Sequence, residues 1–383
     1  TMFSIVIGAT FFPVSEDPSL SALYAFTVFA MGYFARPLGG IIFGHIGDKY
    51  GRKTSFLLTI FLMGASTFLT AFLPSYQSIG ITATILFIVF RMIQGAAVGG
   101  EIPNAVIFVK ENIAKHAGLA CGFIFCFVNL GVFSAKLTES ITTSFLTDDY
   151  AWRAAYIIGG FAAMLSYFFR KKAHESQVFI NNLEKSKVKI PLLELFKNHK
   201  VSLLRATSIM SIMAIVTGAF SLYIPALFKL NHINGGSIIL TTLMIFALLC
   251  IFFGYVADKI SIHKIFYTGI VGLAIFGTAF YLSVVHNTQS INILLIITSV
   301  FLAMVISTGA NYASDSFCLE IKASGLGVSY NIAYAIFNGV FFTVATYGIS
   351  QGVKLTPLYI TLGVIIISTI LLFISKNYKI NNI

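Results

Sequence analysis

Gly44-His45-Ile46-Gly47-Asp48-Lys49-Tyr50-Gly51-Arg52-Lys53 is a charged stretch between two long apolar runs, 20–44 and 54–73. It holds one acid and three bases, whereas the flanking runs hold a single charge, Arg36. A glycine such as Gly51 permits the otherwise strained backbone of a tight turn. A carboxylate such as Asp48 is suited to the positive end of a helix packed beside it. The stretch therefore predicts a polar turn between two helices whose surroundings are apolar.

Outward from this turn, apolar runs recur at 81–109, 117–145, 151–169, 201–228, 236–257, 265–285, 291–313, 324–348 and 357–375. Each is long enough to cross about 30 Å of hydrocarbon, which takes a helix of about 20 residues. Met2 to Phe12 reads as the last turns of a further helix, and Thr1 is not an initiator Met. The sequence is therefore expected to lack its natural start, including most of a first helix. Charged residues make up 10% of the 383, against about 25% in soluble domains, so lipid is the expected outer solvent.

The formal charge of +11 would suggest nucleic acid in a soluble protein, but its distribution argues otherwise. Lys49, Arg52 and Lys53, then Arg170, Lys171, Lys172, Lys185, Lys187, Lys189, Lys197 and Lys200, then Lys259 and Lys264 fall in alternate loops. The loops between them carry Glu16 and Asp17, or Asp148 and Asp149. Basic loops favour the cytoplasm. The expected location is a bacterial inner membrane, multi-pass, with the long central loop and the C-terminus cytoplasmic.

That central loop, 170–200, divides the runs into an N-terminal bundle (1–169, the remnant of helix 1 plus helices 2–6) and a C-terminal bundle (201–383, helices 7–12). Gly44-His-Ile-Gly-Asp48-Lys is echoed by Gly254-Tyr-Val-Ala-Asp258-Lys, so one half reads as a diverged copy of the other. The second copy has Ser261, Ile262 and His263 where the first has Gly51, Arg52 and Lys53, which argues against two loops acting alike. Paired halves with a binding site between them are how many transporters are built.

The fourth helix carries Arg91-Met-Ile-Gln94-Gly95-Ala-Ala-Val-Gly99-Gly100-Glu101. Charges inside an apolar helix are costly and by default face the bundle interior. Arg91, Gln94 and Glu101 share one face, but Arg91 and Glu101 lie about 15 Å apart along the axis and do not pair. Arg36 lies at the depth of Glu101 and is the expected counter-ion, in a pair that either serves coupling or only fixes packing. Tyr223 with Pro225, Asn311 with Tyr312, and Tyr330, Asn331 and Asn338 are further candidates to line a cavity. No Gly-rich loop ends in Lys-Ser/Thr, and no nucleophile triad or metal cluster is found. Neither ATP, a cofactor, a metal nor enzymatic activity is expected. The four cysteines show no zinc-type spacing.

The stretch 44–53 resembles the loop signature G-x-x-x-D-x-x-G-R-[KR] of the major facilitator superfamily, and Arg91-x-x-Gln94-Gly95 resembles its second signature. Within it the chain is similar to the metabolite:proton symporter family, and most to proline/betaine transporters. The likeness to proline/betaine transporters is carried by Gly47-Asp48-Lys49-Tyr50-Gly51-Arg52 and Pro74-Ser75-Tyr76 with Ile79-Gly80, and that to the symporter family by Phe11-Phe12-Pro13 with Asp17-Pro18, Ala35-Arg36-Pro37-Leu38-Gly39-Gly40 and Gly99-Gly100-Glu101. Trp152-Arg153, Glu175-Ser176 with Phe179, and Ser329-Tyr330-Asn331 extend it. The resemblance implies a twelve-helix all-α bundle in which Asp48 faces the start of the eleventh helix, near Ser324-Gly325. It also implies alternating access, with Gly44, Asp48, Gly51, Arg52, Glu111 and Asp258 as gating residues. Arg91, Gln94, Tyr223 and Asn331 are the expected substrate-binding set, with Glu101 and Arg36 for proton coupling. The expected cargo is a small carboxylate-bearing or zwitterionic metabolite, with a proton, carried by a monomer in the bilayer. Ile102-Pro103-Asn104 departs from the family pattern. The alternatives are a non-transporting relative and an uncoupled facilitator.

Overall fold

The computed structural model of the chain describes residues 3–13, 18–183, 190–233 and 235–380; for 4, 5, 18–31, 148, 182, 183 and 376–380 it gives the backbone path alone. Glu16, Asp17, Lys185, Lys187 and Lys189 lie outside the described residues. Twelve helices follow the apolar runs. The first six are α1 (Ser4–Phe11), α2 (Pro18–Tyr50), α3 (Arg52–Thr70), α4 (Ile81–Asn112), α5 (Ala117–Phe145) and α6 (Asp148–Lys171). The last six are α7 (Lys200–Thr217), α8 (Gly236–Lys259), α9 (Ile262–Val285), α10 (Ile291–Ser314), α11 (Lys322–Ser350) and α12 (Thr356–Ile380). No strand occurs among the described residues.

Gly51, at φ 111°, separates α2 from α3, in the left-handed region where a glycine costs nothing. Beyond α7 the chain winds into a π turn, Gly218–Leu222, and resumes as a short helix, Ile224–Leu230. Pro225 at the start of that segment cannot donate back to the preceding turn, which accounts for the break.

Nine helices among the described residues are long and apolar enough to cross a membrane. The helices also turn large side chains outward, with Phe34 79%, Phe161 66% and Leu248 66% exposed, where a soluble protein would bury them. The chain is a multi-pass membrane protein.

Small residues let the helices approach at backbone distance, as lipid-embedded packing requires. A Cβ on Gly95 would lie 2.1 Å from the Gly32 carbonyl oxygen, and one on Gly99 2.2 Å from that of Arg36. The glycines around Arg91 and Glu101 thus fix the α2–α4 crossing. In the first six helices α3 packs on α4 and α6; in the last six α7 packs on α10, α11 and α12, with Ile212 to Val216 wholly buried. The two sets meet where α2 packs on α11 and α5 on α8.

Candidate functional site

At the end of the bundle that carries the 44–53 turn, Asp48 accepts hydrogen bonds from the amides of Ala323 (2.9 Å) and Ser324 (2.7 Å), the first turn of α11. These are orphan donors at the positive end of a helix, where a carboxylate is most favoured. Gly44 lies one turn above, where a Cβ would come within 2.9 Å of the Ala323 carbonyl oxygen, so its small size brings α2 close enough for Asp48 to reach.

Arg52 completes the arrangement and has no solvent exposure. Its Nη1 pairs with Asp48 (3.1 Å) and donates to the Gly47 carbonyl (2.7 Å). Nε pairs with Glu111 (3.2 Å), and Nη2 donates across the seam to the Leu319 carbonyl (2.7 Å). The Phe179 ring lies 4.9 Å from the guanidinium. Glu175 accepts from the Lys53 and Ser176 amides and fills the space beside Gly51, where a Cβ would sit 2.2 Å from its Oε2. Glu175-Ser176 and Phe179 were legible only as a family pattern; in the structure they brace the turn.

The second turn is more alike than its sequence suggests. Asp258 accepts from the amides of Gly118 (2.7 Å) and Leu119 (2.8 Å), the first turn of α5. Thus α2 caps α11 and α8 caps α5, each carboxylate crossing between the two sets of helices. The missing Arg52 counterpart removes only the second half of the arrangement: among the described residues Asp258 has no ion-pair partner. A third cross-link runs from Lys110 on α4 to Asp315 (2.6 Å), the Ser314 hydroxyl (2.8 Å) and the Asn311 carbonyl (3.0 Å).

Higher in the bundle the expected grouping changes. Glu101 does not pair with Arg36; its partner is Arg170 at the end of α6, at 3.0 Å. The two residues share a depth, but Arg36 projects from α2 toward α11, while Glu101 projects from α4 toward α6. Depth alone did not reveal that difference of direction. Arg91 donates to Gln94 (3.2 Å) and to the Tyr156 hydroxyl, so both candidates lie within the first six helices.

Tyr223 lies in the last six, buried against Phe341 and Phe342, with its hydroxyl 3.3 Å from that of Thr346. Asn331 donates from α11 to the Gly99 carbonyl of α4 (2.7 Å) and to that of Gly327 (2.7 Å). Of the four expected substrate-binding residues, Arg91 and Gln94 thus lie in the first six helices and Tyr223 and Asn331 in the last six. Asn104, in the stretch that departs from the family pattern, is a buried brace, donating to the Ser55 hydroxyl (3.0 Å) and the Gly100 carbonyl (2.8 Å).

A cavity of about 660 Å³ opens between α5 and the α7–α8 region at the end opposite the capped turns, lined by Lys136, Ser140, Pro225 and Lys229 among others. That cavity lies at the end away from the carboxylates that cap α5 and α11.

Residues 1–342 match the sequence model described as Major Facilitator Superfamily. A Staphylococcus aureus (strain COL) protein named "Putative proline/betaine transporter" is 31% identical over 373 residues, covering 92% of this chain and 78% of that one. The shikimate transporter of Escherichia coli (strain K12) is 28% identical over 365 residues, covering 88% and 80%. The structure of the proton:xylose symporter XylE bound to 6-bromo-6-deoxy-D-glucose superposes with a TM-score of 0.72 over 97% of this chain and 91% of that one. Its identity is 15%, so it is a likeness of fold. With the crossed caps in place and most of its length matched, this chain belongs to the major facilitator superfamily of membrane transporters, and is not an enzyme.

Proposed function

We propose that the protein is a secondary active transporter that works by alternating access and carries a small carboxylate-bearing or zwitterionic metabolite together with a proton. The observation that carries this reading is the pair of crossed caps. Asp48 on α11 and Asp258 on α5 hold one face shut through contacts that separate together if the bundles 1–169 and 201–383 rock apart about the linker 170–200. Gly44, Asp48, Gly51, Arg52, Glu111 and Asp258 form this gate.

The basic loops support a cytoplasmic position for the gated face. A cysteine at His174 should then react with an impermeant thiol reagent only after the membrane is opened.

Coupling falls to Glu101, one of two acids inside the apolar runs, the other being Glu139. Protonation would release Arg170 and with it the end of α6 that leads into the linker. The carboxylate-bearing class rests on the half-buried Arg36 and Arg91 within the apolar runs and on the relatives named for proline, betaine and shikimate. Proteoliposomes preloaded with unlabelled proline, glycine betaine or shikimate should draw in the same labelled solute by exchange. A protein that exchanges no small carboxylate is not this transporter.

A further inference from the structure

Arg36 sits on the α2–α11 seam, twelve residues above Asp48 and thus about 18 Å from the capped face at 1.5 Å per residue. Tyr334 on α11 is eleven residues above Ala323, so the two lie at the same height, near the middle of about 30 Å of hydrocarbon. The guanidinium lies 5.1 Å from the Tyr33 ring of its own helix and 5.9 Å from the Tyr334 ring of α11. Tyr334 stacks on Tyr330 at 4.3 Å, and its hydroxyl lies 3.4 Å from that of Thr217 on α7.

This cation makes no hydrogen bond or ion pair to a described residue, and its Nε is buried without a partner. Arg91 differs, because its Nη1 and Nη2 are committed to Gln94 and Tyr156. A guanidinium held at membrane depth without a counter-ion is costly unless something uses it.

We propose that Arg36 is the carboxylate anchor of a solute site on the α2–α11 seam, walled by Tyr33, Tyr330 and Tyr334. The planar fork of the guanidinium offers a carboxylate two parallel hydrogen bonds, which a lysine does not. The ring faces suit a cationic nitrogen, quaternary ammonium included, a few atoms from that carboxylate. The site therefore selects short zwitterions. Because α2 and α11 belong to opposite sets of helices, a solute bridging them senses their separation. This assignment rests on the transporter reading above, but names a different arginine for the substrate than the sequence does.

The test compares wild type with Arg36→Gln, Arg36→Lys and Arg91→Gln in exchange and in ligand-induced thermal stabilisation, using proline against prolinamide and glycine betaine against choline. Wild type should prefer each carboxylate to its analogue. Arg36→Gln should weaken the carboxylates by about thirtyfold or more, the scale for losing one partner of a desolvated charge pair, and leave the analogues nearly unaffected. Arg36→Lys should fall between.

Carboxylate preference kept in Arg36→Gln and lost in Arg91→Gln overturns the proposal. The unfolding temperature of the solute-free protein decides independently of any substrate. Arg36→Gln should leave it unchanged or raised, because it removes a half-buried cation that has no counter-ion among the described residues. A marked fall would show that Arg36 is structural and likewise overturn the proposal. If wild type exchanges none of these solutes, the transporter reading fails, while the unfolding comparison still decides the role of Arg36.

Discussion

Asp48→Ala should slow transport by about a hundredfold or more while leaving solute binding measurable. The carboxylate does two things at once: it caps the first turn of α11 through Ala323 and Ser324, and it neutralises Arg52, which is wholly buried. Removing one partner of a buried ion pair costs about 3–5 kcal/mol, and here Arg52 is left with Glu111 as its ion-pair partner while the α11 amides lose their acceptor. At about 1.4 kcal/mol per decade, the closed population falls by two orders of magnitude or more, and a carrier that cannot shut one face does not complete its cycle.

Asp258→Ala should be milder. Asp258 caps α5 without an ion-pair partner among the described residues, so the loss is that of a helix cap, about 1 kcal/mol and several-fold in rate. Initial-rate uptake alongside equilibrium binding checks both. Full transport in Asp48→Ala would reduce the turn to a topological marker.

Glu101→Gln should abolish accumulation driven by a proton gradient while preserving exchange of solute for solute. Glutamine keeps the shape and still accepts a hydrogen bond from Arg170, so packing at the α4–α6 contact survives. What disappears is the change of charge that would break and remake the ion pair once per cycle. Arg170→Gln should phenocopy it in part, by leaving Glu101 without its partner. Accumulation that persists in Glu101→Gln makes the pair a structural tie and places the proton elsewhere. Scoring the exchange and gradient-driven modes on the same vesicles separates loss of coupling from loss of the protein.

The course of the helices was legible because hydrophobic length is a one-dimensional property. Every apolar run became a helix, and the break after α7 follows from Pro225. The turn at 44–53 was legible for a different reason: Gly51, Asp48 and Arg52 each have a geometric duty that few residue types fulfil.

The pairing of Glu101 was not legible. Counting residues gives depth along a helix, whereas the partner depends on how the helix is rotated and on which neighbour that face meets. Arg170 stood among the loop charges as one more basic residue, yet it folds back onto Glu101. The echo at Gly254 to Asp258 marked the second turn but not its partner, because Asp258 binds backbone amides, and an amide leaves almost no trace in sequence. Gly118, where a Cβ would lie 2.5 Å from the Gly254 carbonyl oxygen, marks the close approach of α5 to α8 that this contact needs. The aromatic surroundings of Arg36 come from two helices almost 300 residues apart in the chain, a proximity no local pattern encodes.

Two halves rocking about a capped face would move a small solute with a proton. The purified protein in sealed proteoliposomes, given an imposed inward proton gradient and labelled proline or glycine betaine, tests it most directly. The solute should accumulate above its external concentration, and the accumulation should collapse when a protonophore is added. Uptake that stops at equal concentrations with and without the gradient would contradict it.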